Sequence, residues 1–94
     1  MVDNFEWDPE KAEKNLKKHN ISFDEASTVF DDPLSYTFED PDHSVTEKRE
    51  ITIGLSLKNR IILVFSTLRN NKIRIFSARE ATTNERRNYE KTIK

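Results

Sequence analysis

Cysteine is absent from this 94-residue chain, glycine occurs once and histidine twice. Without cysteine there is no disulfide framework and no thiolate metal site, and two histidines leave little scope for a zinc cage. No apolar run approaches the ~20 residues that a membrane span needs, and the N-terminal MVDNFEWD does not read as a signal peptide. These absences predict a cytoplasmic chain with no membrane segment, no metal site and no cofactor. Linkers, repeats and low-complexity segments are missing too, so residues 1–94 read as a single small domain with a thin core.

What is abundant is charge, at 35% of residues against 34% hydrophobic. The net charge of −1 hides a division. Residues 1–50 carry six basic against fourteen acidic side chains, and residues 51–94 carry ten against three. A basic surface is the usual electrostatic footprint for nucleic acid. The same division also arises when two halves of a chain simply pair with each other, because sign asymmetry does not fix geometry.

The hydrophobic pattern predicts an α+β fold. FEW at Phe5–Trp7 alternates as a short strand would. DPEKAEKNLKKHN reads as a helix, with Asp8 as N-cap, Pro9 at the first helical position and Asn20 as a left-handed stop. Ala12, Leu16 and His19 form its stripe, and Lys17 and Lys18 suit the negative end of the dipole. SFDEASTVF is a second, short helix with Ser22 and Glu25 at capping-box spacing. Four strands follow in a predicted antiparallel meander. They centre on Tyr36 and Phe38, on Ile51–Leu55, on the apolar run RIILVFSTL, and on IRIFSA. TTNERRNYEKTIK closes the chain as a helix, with Thr82 and Glu85 in capping-box register. Helices before strands imply layers, with helices on one sheet face and the other face open.

Three stretches carry a resemblance. FEWDPEKAEKNLKKHNISFDEASTVFDDPLS, DPDHSVTEKREITIGLS and IRIFSAREATTNERRNYE resemble, in order, the N-terminal, middle and C-terminal signatures of the BrnT toxin family. The resemblance implies a RelE-like fold and an endoribonuclease toxin of a type II toxin–antitoxin pair. It implies a DNA-binding, BrnA-like antitoxin that blocks the toxin, and operator DNA reached only through that antitoxin. A homodimer or a heterotetramer with the antitoxin is compatible with it. Two positions depart from the family pattern. Asn20 stands where the family usually has glycine, and Leu68 replaces an acidic residue before Arg69. If that carboxylate serves catalysis, this chain is a catalytically weak homologue acting as antitoxin-binding partner and co-repressor.

RNA carries its own nucleophile, the 2′-hydroxyl. Metal-free cleavage needs groups that move protons and cations that stabilise the phosphorane. Arginine suits the second task because its planar fork matches phosphate oxygens and stays charged. Arg79, at the end of the last strand before a helix, leads the candidates. By strand parity it shares a face with Ile73 and Ile75, so the chain is expected to leave the sheet by Ala78 to free it. Arg74 alternates with those isoleucines and points to the opposite face with Lys72. Arg69 ends a hairpin. His43 and Glu47 supply acid–base groups beside Arg49. Arg49, Lys72, Arg86, Arg87, Tyr89 and Lys18 are candidate RNA contacts, Tyr89 by stacking on a base. Each has an ordinary alternative as an ion pair, a helix cap or a core aromatic.

Overall fold

The computed structural model describes residues 4–41 and 47–92. A two-residue strand β1 (Phe5–Glu6) leads into helices α1 (Pro9–His19) and α2 (Phe23–Thr28) and a 3-10 turn (Val29–Asp31). Strands β2 (Tyr36–Glu39), β3 (Arg49–Leu55), β4 (Ile61–Arg69) and β5 (Lys72–Glu80) follow, and α3 (Thr83–Thr92) ends the described chain. This is a mixed α+β architecture, as the order of patterns predicts.

The five strands form one sheet in the order β1-β5-β4-β3-β2. Neighbours from β2 to β5 pair antiparallel, whereas β1 runs parallel to β5 at Phe5–Ile73 and Glu6–Arg74. The apolar strand β4 lies in the middle, where both faces are covered. On one face Ile62, Val64, Ile75 and Ala78 meet Ile21, Phe23, Ala26 and Val29. On the other, Ile51, Ile53 and Leu63 meet Tyr89 of α3. The sequence pattern predicts an open second face; instead α3 folds back over part of it.

With one glycine available, asparagine makes the left-handed turns. Asn20, Asn59, Asn70 and Asn71 all have positive φ, between 53° and 64°. Asn tolerates this region better than most residues. The pair Asn70–Asn71 lets a two-residue turn join β4 to β5 with the twist that hairpins prefer. Gly54 does a different job. A Cβ there would lie 2.8 Å from Ser35 Cβ and 2.9 Å from Val29 Cγ1, so glycine allows the 3-10 turn to pack onto β3.

Helix α1 departs from its predicted stripe. Leu16 is 47% exposed, and the buried residue is Asn15. Its amide donates to the carbonyls of Ile21 (3.0 Å) and Ala78 (2.9 Å) and accepts from Ala78 N–H (3.1 Å). Because β1 covers β5 only at Ile73 and Arg74, the later half of β5 presents backbone groups with no strand beside them. Asn15 satisfies both groups of Ala78 and fixes α1 against that edge.

Both capping boxes form at their first hydrogen bond, but only one is reciprocal. Ser22 Oγ accepts from Glu25 N–H at 3.0 Å, while the Glu25 carboxylate turns away to Arg60 and Ser56. At α3, Thr82 Oγ1 accepts from Glu85 N–H (3.2 Å) and Glu85 accepts from Thr82 N–H (2.8 Å).

Candidate nucleic-acid interface

The register of β4 against β5 slips between Phe65 and Ser66, which face Ser77 and Ile75 and leave Phe76 as an extra residue. Such a bulge reverses the alternation of side chains beyond it. Ile75 therefore faces the helices, and so does Ala78, three residues on. This corrects the expected parity of Arg79. The strand does not end at Ala78 but runs to Glu80, and Arg79 sits opposite Leu63 on the face away from α1 and α2.

One end of that face carries a row of Arg49, Thr67 and Arg74 across β3, β4 and β5. The bulge brings a second feature beside it. The guanidinium carbon of Arg49 lies 4.6 Å from the centroid of Phe76, and that of Arg79 lies 5.8 Å from Phe65. The two rings are 6.5 Å apart. Together with Asp40 and Ser77 these four side chains line a cavity of about 270 Å³. Two guanidinium groups over aromatic faces, next to a carboxylate and a hydroxyl, form a surface suited to an anionic group attached to a flat ring.

Three of the candidate arginines, Arg79, Arg74 and Arg69, are held by carboxylates. Arg79 makes a two-point pair with Glu85, at 2.8 and 2.9 Å. This hydrogen bonding, backed by the Thr82 amide, brings the Glu85 carboxyl down to about 2 despite its partial burial. Arg74 pairs with Glu6 at 3.2 Å, and Arg69 with Glu47 at 2.5 Å. The hydrogen bond from Arg69 holds Glu47 below the usual carboxylate range, and the fields of Arg49 and Arg74 add to it. A carboxylate so stabilised is a weaker base, which reduces its suitability for proton abstraction. The Glu6–Arg74, Glu47–Arg69 and Glu25–Arg60 pairs each join the acidic half of the chain to the basic half. Part of the charge division read from the sequence is thus internal pairing.

The remaining candidates scatter. Tyr89 is a core residue, 4% exposed, whose hydroxyl donates to Asp32 Oδ2 at 2.5 Å. Burial first, then that hydrogen bond, raises its phenol to about 12. Its place under the sheet leaves no face for stacking on a base. Arg86 and Arg87 are exposed on α3 and do not line the cavity. Lys72 stands at the exposed β4–β5 hairpin, in register with Arg69. Lys18 lies on the far side of Phe76, along α1. His43 falls outside the described residues. Sequence reasoning missed Asp40, Phe65 and Phe76. The bulge that gathers them has no glycine or proline to announce it.

Residues 7–85 match the family model described as ribonuclease toxin, BrnT, of type II toxin-antitoxin system. Among solved structures, the chain is similar to the 1.1 Å crystal structure of the Brucella abortus ribonuclease toxin, BrnT. The TM-score is 0.63 and the identity 21%, over 82% of this chain and 94% of that one, a likeness of fold. No curated protein matches the chain.

Proposed function

The chain belongs to the BrnT family of ribonuclease toxins of type II toxin–antitoxin systems, and from that premise we propose that it is itself a metal-free endoribonuclease. In this reading its fold is RelE-like, it acts in the cytoplasm, and a BrnA-like antitoxin with a DNA-binding module neutralises it. The observation that carries the proposal is the cavity in which Arg49 and Arg79 converge over Phe76 and Phe65.

A scissile phosphate placed there meets two guanidinium groups. The 2′-hydroxyl attacks phosphorus, the 5′-oxygen leaves, and a 2′,3′-cyclic phosphate forms. Negative charge grows on the non-bridging oxygens as the phosphorane develops, so fixed cations stabilise the transition state more than the ground state. The aromatic floor lowers the local dielectric and offers a stacking surface to the neighbouring base. Asp40 is the cavity's own carboxylate and is assigned to accept the 2′-hydroxyl proton. His43 is assigned as proton donor to the leaving oxygen. Arg74 and Arg69 extend the basic rim along the strand. Glu85 positions Arg79, because its two hydrogen bonds fix the guanidinium plane.

The second reading, a weak homologue acting mainly through its antitoxin, draws support from Leu68 and from the pairing of Arg69, Arg74 and Arg79 with carboxylates. One experiment separates the two. The purified chain, free of antitoxin, is incubated with RNA in EDTA, and the products are examined for cyclic phosphate ends. Cleavage that survives chelation and stops when the nucleotide 5′ to the scissile bond is 2′-deoxy supports the nuclease. Intact RNA together with tight antitoxin binding supports the weak homologue.

A further inference from the structure

Ser77 and Phe76 belong to two cavities. One is the arginine cavity described above. The other, of about 340 Å³, lies around the edge of β5 and is lined by Lys11, Lys14, Asn15, Lys18 and His19 of α1. We infer that this α1 groove is a second subsite, which binds the phosphates of single-stranded RNA beside the scissile bond. It rests on the nuclease reading of the adjoining cavity, since the strand held there is the one cleaved next door.

Four observations favour this occupant. Lys11, Lys14 and Lys18 recur at helical spacing, so they form one stripe with rises of about 4.5 and 6 Å between them. Among the described residues none of the three is paired with a carboxylate. Lys17 pairs with Glu13 at 3.1 Å. The cations that face the groove are thus the unneutralised ones. Asn15 bolts α1 to Ala78, immediately after Ser77, so the two walls of the groove are held in fixed relation. Phe76 lies between lysines on one side and Arg49 on the other, which gives a chain of alternating phosphates and bases a cationic wall on each side and a ring at the junction. An acidic protein segment would use the lysines but has no call on the aromatic junction or its continuity with the arginines.

The test is the binding of a short 2′-O-methyl RNA oligonucleotide, which keeps its phosphates and cannot be cleaved, measured by fluorescence anisotropy across a salt series. The triple variant Lys11→Gln/Lys14→Gln/Lys18→Gln should bind about tenfold more weakly, whatever the base sequence, and its log–log salt slope should fall by about 2. Replacing the three lysines by arginine should restore binding, and Lys17→Gln should leave it unchanged. All these positions are exposed, so circular dichroism should show the fold intact. Unchanged affinity and slope in the triple glutamine variant overturn the inference, and with weakened antitoxin capture they assign the stripe to a protein. If the slope falls as stated but the wild-type chain cleaves no RNA, the subsite stands and the nuclease proposal fails.

Discussion

Glu85 grips Arg79 with both carboxylate oxygens while one of them also accepts the amide of Thr82, so the helix cap of α3 and the orientation of the leading arginine are a single structure. The folded pKa of Glu85, about 2, lies below its value in an unfolded chain. The stability it provides is complete above the ordinary glutamate range and is lost as pH falls from about 4.5 toward 2. Both side chains are about one-third exposed, so screening by solvent reduces the effect to about 1–2 kcal/mol. Glu85→Gln should lower stability by that amount at pH 7 and by much less at pH 2.5, as read by urea denaturation at the two values.

Asn15 supports a larger load. Its replacement by leucine leaves the N–H and C=O of Ala78 and the carbonyl of Ile21 without their partner in a buried place. The expected cost is about 2–4 kcal/mol. Hydrogen exchange at Ala78 should accelerate more than at Val64 in the middle of the sheet.

Gly54 is a test of packing rather than of backbone freedom. In Gly54→Ala the new methyl meets Ser35 and Val29 at less than 3.0 Å. Overlap of this kind outweighs the gain in strand propensity, and thermal unfolding should report a loss of about 1–3 kcal/mol.

Tyr89→Phe removes a buried hydrogen bond to Asp32, which still accepts from the amides of Leu34 and Leu55. Stability should fall by about 1 kcal/mol. RNA binding should not change, since Tyr89 is buried beneath the sheet and does not line the arginine cavity.

The helices and strands were legible in the sequence because each rests on local chemistry: Asp8 before Pro9, Ser22 before Glu25, Thr82 before Glu85, alternation in β3 and an unbroken apolar run in β4. The site was legible only in part. Arg49 and Arg79 of the candidate cavity could be named, but the face of Arg79 could not, because an extra residue at Phe76 reverses the alternation without any marker in the sequence. The helical stripe misled for a related reason. Asn15 is polar and so was not counted toward the core, yet an edge strand with unpaired backbone needs an amide there more than it needs a methyl group. For Tyr89, an aromatic among charges, the sequence leaves stacking and core packing both open, and burial decides for the core.

The most direct test compares single-turnover cleavage of RNA by the wild-type chain and by Arg79→Ala, with Arg86→Ala as the exposed control on α3. Removing a preformed cation from the developing phosphorane should slow cleavage about 10²–10³-fold, while Arg86→Ala should cleave at the wild-type rate. Equal rates for all three proteins, with Arg79→Ala folded by circular dichroism, would contradict the assignment of the phosphate to the Arg49–Arg79 cavity.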